Sequence, residues 1–420
     1  MKLAVFLILV CNVFFGRAQA QSGLPTVAPK QLHSRVLKET RTYSVYVPES
    51  AGNPLFGKQH YPVLYVLDGE SQFQSTATIL EQLSQKRVVP EAIIVAIHNT
   101  DRIRDLTPTH IESGLYMDRR GATTSGGGEN FTRFLQQELI PHIDSAYATT
   151  SYRMLIGTSL GGLFVVHTLL HHPDLFQGYV AIDPSLWWDD TKLVREADAL
   201  LAQPKFAHKT LFLPVATAFK EVGDTVAARA HNTVEHRALL AVPDFIAALQ
   251  QHSANGLRWA RKYYRAEGHN TVPLPGTYDA LLHAFSAHRF LSVDNVPVLE
   301  PAVSKLSAAS MRDSLLRGCQ AVSRQLGYAV LPPEGLVNRI GYTFLGRKDL
   351  AAAYAFFQLN QQNYPGSFNV YDALGDYYLA LGDQKKAAKE FSKALTLNEY
   401  PQTRQKLQAL QQKPVRRKGT

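Results

Sequence analysis

The sequence predicts an α/β fold, a mostly parallel sheet with helices on both faces, joined to a small all-α C-terminal unit. Three observations carry that prediction. Apolar runs of strand character alternate with helical stretches between residues 40 and 290, the pattern of parallel strands linked by helical crossovers. One of those runs, 153–156, leads through Gly157-Thr158-Ser159-Leu160-Gly161-Gly162 into an apolar helix over 163–170. In that strand–turn–helix context, G-x-S-x-G holds its serine on a tight turn at a sheet edge. Beyond residue 306 the strand signals stop, and like residues recur 34 positions apart, the period of paired-helix repeats.

Residues 21–38 read as an extended lead-in. Residues 40–48 alternate, with Tyr43, Val45 and Val47 on one side, as an early strand does. The continuous apolar runs 62–67 and 92–97 read as strands buried on both faces, with a helix over 76–83 between them. Residues 99–110 are polar and held by Pro108, and Gly126-Gly127-Gly128 opens a helix over 129–143. Neither a Lys nor a Ser/Thr comes after those glycines at the positions a phosphate cradle needs, so they read as a flexible loop. After the serine turn come strands at 179–182, 210–216 and 258–264, and a helix over 278–285 closes a domain spanning 21–291. Residues 292–306, with Pro297 and Pro301, form a linker. Gly341 and Gly375, Leu345 and Leu379, Ala353 and Ala387, and Phe357 and Phe391 mark two tetratricopeptide-like repeats within 307–412, capped by a helix over 402–411. Two units leave an open end, which residues 307–326 or the sheet domain would cover.

At 420 residues the chain exceeds one ordinary domain. Its 45% hydrophobic and 19% charged residues describe a globular protein with a sizeable core. The net charge of +9 is spread along the chain apart from a basic tail at 413–420. No basic face and no nucleic-acid-binding module is visible, which argues against a nucleic-acid partner. Residues 1–20 read as a secretory signal: Lys2 at the start, an apolar stretch over 3–15, and Ala18-Gln19-Ala20 as a cleavage site. The apolar stretch is too short for a membrane span. The mature chain, beginning after Ala20, is therefore expected to be secreted or periplasmic, without a transmembrane segment. It keeps only Cys319, which excludes an intramolecular disulfide and reads as a buried small residue.

A serine hydroxyl is a weak nucleophile and needs a base within hydrogen-bond reach. His269 is the expected base for Ser159, because it comes after the last strand on a loop between Gly268 and Pro273. That is the chain order serine, acid, histidine. The acid is expected after strand 210–216, where Asp224 is preferred and Glu221 is the alternative. Asp183, Glu267 and a Ser–His dyad stay open. The oxyanion would be held by the Leu160 N–H and by Gly69 or Glu70, from the loop after Leu67. Trp187 and Trp188 either line a pocket for a flat substrate group or cover a core edge. His167 and His171 have one-turn helical spacing, but no third ligand is evident, so neither a metal nor another cofactor is expected.

Several segments occur together and in order: 61–69 (YPVLYVLDG), the loop 99–108 (NTDRIRDLTP), the serine turn, Pro184-Ser185-Leu186-Trp187-Trp188, and Gly268-His269. As a set, covering roughly residues 35–290, they resemble the putative-esterase family of α/β-hydrolases, which includes siderophore esterases, feruloyl esterases and S-formylglutathione hydrolases. The arginine-bearing loop and the Trp pair look most like the siderophore-esterase branch, and the appended repeats are similar to a secreted bacterial subgroup of it. The resemblance implies an α/β-hydrolase fold and hydrolysis of a small-molecule carboxylic ester through an acyl-serine, with Ser159 as nucleophile and His269 as base. It also implies that Arg102 or Arg104 meets an acidic or catecholate substrate. Thr158 and Asp183 depart from the residues many relatives carry at those positions. Two alternatives remain: acyl transfer by the same acyl-serine, and a silent hydrolase domain whose repeats bind a protein partner or a second copy.

Overall fold

The computed structural model describes residues 27–53, 59–217, 229, 233–292, 295 and 306–412. The expected signal segment 1–20, the basic tail 413–420 and most of the expected linker 292–306 lie outside the described residues.

Eight strands among the described residues form one sheet: β1 (Lys30–Ser34), β2 (Glu39–Tyr46), β3 (Tyr61–Val66), β4 (Ile93–Ile97), β5 (Thr149–Thr158), β6 (Gly178–Ile182), β7 (Thr210–Ala216) and β8 (Arg258–Tyr264). Their order is β1-β2-β4-β3-β5-β6-β7-β8. The β1–β2 and β2–β4 pairs are antiparallel and all the others parallel. The extended lead-in thus includes a strand. Its exposed alternate residues gave little apolar signal, because it sits at the edge with one face open to water.

Every residue of β3, β4 and β6 is buried, as continuous apolar runs require when both sheet faces are covered. Pro62 has no N–H to give, and the β3–β5 register shifts at that point, from Tyr61↔Thr149 to Val63↔Arg153. The strand period of two sorts the core into two clusters. Val63, Tyr65, Val95 and Leu155 join one, while Leu64, Val66, Ala96 and Ile156 join the other.

Helices α1 (Gly69–Gln85), α2 (Arg102–Leu106), α3 (Gly128–Phe134), α4 (Ile140–Ala146), α5 (Leu160–His171), α6 (Trp188–Leu201) and α7 (Val234–Gln251) lie between strands, and α8 (Pro273–Ala284) follows the last one. Residues of α3, α5, α6 and α7 pack with the first cluster, and those of α1 and α8 with the second. The helix expected over 129–143 is interrupted by a wide turn at Leu135–Leu139. Pro141 comes two residues after it, and a proline has no N–H for the carbonyl one turn back.

The C-terminal region is all helical: α9 (Ala308–Leu326), α10 (Glu334–Gly346), α11 (Leu350–Asn363), α12 (Phe368–Leu381), α13 (Gln384–Leu397) and α14 (Pro401–Gln411). A side chain at Gly341 would collide with Phe357 at 2.5 Å, and one at Gly375 with Phe391 at 2.3 Å. The same glycine-against-phenylalanine contact therefore recurs in the pairs α10–α11 and α12–α13. Helix α9 bridges the two regions. Its Val322 and Leu326 join the sheet core, while Met311, Leu315 and Cys319 join the core of the helix pairs. Burial pushes the Cys319 thiol up to about 12, so it packs as an inert small residue.

Candidate active site

Parallel strands β4, β3, β5 and β6 end side by side, and the site is assembled from the segments that leave their C-terminal ends, joined by the loop after β8. Strand β5 pairs with β6 as far as Thr158↔Ile182, and the chain then turns at Ser159 with φ 60° and ψ −116°. A non-glycine residue held there stores about 1–3 kcal/mol of strain. The surroundings over-determine it. The Ser159 N–H donates to Ile182 O at 3.0 Å, and Ser159 O accepts from the N–H groups of Leu163 and Ser185 at 2.9 and 3.0 Å. At Gly157 a methyl would lie 2.4 Å from the Gly161 carbonyl oxygen, so only glycine lets β5 and α5 close this tightly. Helix α5 is buried from Leu160 to Leu170, which explains why its sequence is apolar all round.

His269 lies beyond β8 on a loop tied by Gly268 N–H to Thr271 Oγ1 (3.0 Å) and by Thr271 and Val272 N–H to Gly268 O (3.1 and 3.0 Å). Its Nδ1 lies 2.7 Å from Asp183 Oδ2. An ionised carboxylate only accepts, so Nδ1 carries the proton and Nε2 is the ring nitrogen left to receive one. Asp183 is 8% exposed and left-handed, with φ 39°. Its N–H donates to Pro214 O at 2.8 Å, and its Oδ1 accepts from Ala216 N–H at 3.3 Å. Adjacent strand β7 thus holds Asp183 twice, by its backbone N–H and by its carboxylate. The preferred acid Asp224 and its alternative Glu221 lie outside the described residues. The carboxylate that meets His269 is Asp183.

Ser159 and His269 line one cavity of about 420 Å³, with Asp68, Glu70, Asn99 and Arg102. Ser159 Oγ is 3.2 Å from Ser185 Oγ. Two helix N-termini open beside this cavity, since β3 and β5 are neighbours and Leu67 N–H donates to Ile156 O at 2.9 Å. Leu160 is the first residue of α5, and Gly69 and Glu70 are the first two of α1. The N–H groups of a first helical turn have no intrahelical acceptor and favour negative charge. A side chain at Gly69 would come 2.8 Å from the backbone of Ala96, so α1 starts hard against the end of β4.

Arg102 lines the cavity, but its guanidinium is clamped on Asp68: Nε donates to Oδ1 at 2.6 Å, Nη2 donates to Oδ2 at 2.9 Å, and Nη2 also reaches Thr158 O at 3.3 Å. Those bonds to Asp68 hold its pKa above the usual arginine range. Asp68, at φ 54°, caps α1 and also accepts from Asn99 Nδ2 at 2.8 Å. Arg104, expected to meet substrate, is not brought to this cavity. Its guanidinium donates to Glu39 at 2.6 and 3.0 Å and to Asp105 at 2.7 Å. With Arg41 it forms a network that ties α2 to β2. The Trp pair separates. Trp188 is 1% exposed and donates from Nε1 to Thr109 O at 3.1 Å, so it covers the core edge. Trp187 is partly buried and meets exposed Tyr116 edge-on at 5.0 Å, without lining the cavity. Sequence reasoning missed Asp68 and Ser185 as members of the site. Their only signals were their places at the ends of β3 and β6.

The fold and this elbow define an α/β-hydrolase. The chain belongs to the putative esterase family, whose pattern matches residues 34–254. It is similar to the ferri-bacillibactin esterase BesA of Bacillus subtilis, with 34% identity over 197 residues, 43% of this chain and 66% of that relative. It is also similar to the siderophore triacetylfusarinine C esterase of Aspergillus fumigatus, with 27% identity over 164 residues, 36% of this chain and 53% of that relative. The chain thus spans less than two thirds of either relative's length. Among solved structures, an IroE-like serine hydrolase from Shewanella oneidensis superimposes with a TM-score of 0.64 and 28% identity, covering 80% of this chain and 99% of that one. The family resemblance read from the sequence agrees with these matches.

Proposed function

We propose that the protein is a serine-type carboxylic-ester hydrolase acting on siderophore-type or other aryl and acyl esters. The observation that carries this reading is the strained Ser159 in one cavity with His269, whose Nδ1 is bonded to buried Asp183. In the first half-reaction His269 Nε2 takes the Ser159 hydroxyl proton as Oγ attacks the ester carbonyl. The oxyanion accepts hydrogen bonds from the Leu160 N–H and from the first N–H groups of α1. The C–O bond breaks, and the leaving alcohol takes the proton from His269. In the second half-reaction water, deprotonated by His269, releases the acid and restores Ser159. Asp183 orients the imidazole and stabilises its charged form. Arg102 serves as a neutralised wall of the cavity whose remaining N–H capacity can meet an acidic or phenolic group.

The siderophore class rests on the activities for which the relatives are named and on the Arg102-bearing loop. Residues 1–20 support a secreted or periplasmic location. The helix pairs α10–α13, with their 34-residue glycine–phenylalanine contact, support tetratricopeptide-type repeats that engage a partner or a second copy. Hydrolysis of p-nitrophenyl butyrate, labelling of Ser159 by a fluorophosphonate, and a panel of simple, hydroxycinnamoyl and siderophore-lactone esters test the reading. Ser159→Ala is expected to abolish turnover of every ester that wild type cleaves. Full activity in that variant sinks it.

A further inference from the structure

Helix α5 carries chemistry at the end away from Ser159. Its last residues include His167 and His171, and His172 comes next at non-helical φ −129° and ψ 52°. In a continuous helix, residues 167 and 172 would face different directions. Because the chain leaves the helix at 172, the two rings come within 6.2 Å of each other, centre to centre. His171, whose spacing from His167 is that of a helical ligand pair, is turned instead to the backbone, with Nδ1 on His167 O at 3.1 Å. The third donor comes from 43 residues upstream. Glu129, in the first turn of α3, places Oε2 at 2.9 Å from His172 Nε2 and 3.9 Å from His167 Nε2. All three donor atoms lie within 4.8 Å of one another.

We propose that Glu129, His167 and His172 form a binding site for a borderline divalent transition-metal ion such as Zn²⁺, held by two imidazole nitrogens and one carboxylate oxygen. The independent sign is His167. It is 8% exposed, and its Nε2 has no hydrogen-bond partner. A buried polar atom left unpaired ordinarily costs about 1–3 kcal/mol, and a metal ion removes that penalty. With its proton on Nδ1, a buried imidazole offers the lone pair of Nε2 to an ion. Two histidines and one carboxylate are a set suited to Zn²⁺ and its neighbours, with a position left open for water or a further ligand. Ligand distances of about 2.0–2.2 Å ask the three donors to close by roughly 1 Å or less, and Glu129 and His172 are exposed enough to move. The site lies about 12–18 Å along α5 from Ser159, between His167 and the helix end, at about 1.5 Å per residue. It therefore braces the nucleophile's helix against the start of α3, and does not act on the ester. In sequence the third ligand was invisible, since only the tertiary fold brings Glu129 to the histidines.

The test uses the full chain without a polyhistidine tag. Equilibrium dialysis against Zn²⁺, followed by metal analysis, should show one equivalent bound, and Co²⁺ should give a visible ligand-field band. His172→Ala and Glu129→Gln, at a partly exposed and an exposed position, should each weaken Zn²⁺ binding by roughly tenfold or more, the range in which even outer-sphere changes act. Both should leave the circular dichroism of the metal-free protein unchanged. Zn²⁺ should raise the melting temperature of wild type and not of His172→Ala. Wild type binding no more Zn²⁺ than the double variant Glu129→Gln/His172→Ala overturns the site.

Discussion

Replacing Asp183 by asparagine keeps the shape of the side chain and removes an acceptor that the structure uses. Oδ2 accepts from His269 Nδ1–H at 2.7 Å, and Oδ1 accepts from Ala216 N–H at 3.3 Å. An amide has one acceptor oxygen and one NH₂ group. If the oxygen stays on Ala216, the NH₂ faces His269 and favours the tautomer protonated on Nε2, the nitrogen that must take the serine proton. If the oxygen turns to His269, the NH₂ confronts a buried N–H, a mismatch of about 1–3 kcal/mol. Either arrangement also removes the negative charge that stabilises the imidazolium. A fall in kcat of about 10²–10⁴ is expected, equivalent to roughly 3–5 kcal/mol at 1.36 kcal/mol per factor of ten. Asparagine tolerates the left-handed φ of 39°, so the variant should fold. The assay is kcat and KM on p-nitrophenyl butyrate, with melting followed by circular dichroism. KM should change little, because the lost interaction matters in the transition state. Asp224→Ala and Glu221→Ala, measured beside it, should keep activity. An Asp183→Asn enzyme within about threefold of wild type, or a large loss confined to Asp224→Ala, would refute the assignment.

Three further outcomes are expected. Gly157→Ala puts a methyl 2.4 Å from the Gly161 carbonyl, an overlap with backbone that cannot swing aside, and should destabilise the fold by about 3 kcal/mol or more; an unchanged melting temperature contradicts the packing described. Arg102→Met strips Asp68 of a bidentate partner, but 34% of the arginine side chain is exposed, so a loss of about 1–3 kcal/mol is expected, below that of a fully buried pair. Chemical denaturation measures it, and Asp68→Asn added to Arg102→Met should recover part of the loss. Burial pushes His288, beside the Arg87 carbonyl, down to about 4, against roughly 6.5 in an unfolded chain. Between those values the unfolded chain binds a proton that the folded chain refuses, so stability rises with pH through the window and is lost as pH falls from about 6.5 toward 4. Melting across that range should show the slope, and His288→Asn should flatten part of it.

Features that depend on neighbours in the chain were legible from residue order alone. Continuous apolar runs marked the buried strands, because a strand covered on both faces needs apolar residues at every position. The glycines around Ser159 marked the turn, because the strand and helix meet there with no room for a side chain. Gly341, Gly375, Phe357 and Phe391 marked the helix pairs by their period. Features that depend on which ends lie side by side came only with the folded chain. Asp183 meets His269 because β6 and β7 are parallel neighbours and β7 grips the carboxylate. Arg102 turns onto Asp68, and Arg104 onto Glu39 and Asp105, since a guanidinium goes to the nearest carboxylate, and one sequence does not say which is near. Trp188 is fully buried and Trp187 only partly, although the two are adjacent, because successive side chains leave the backbone in different directions. Glu129 reaches His172 across 43 residues of chain, and His167 with it, where local spacing had offered only His167 and His171.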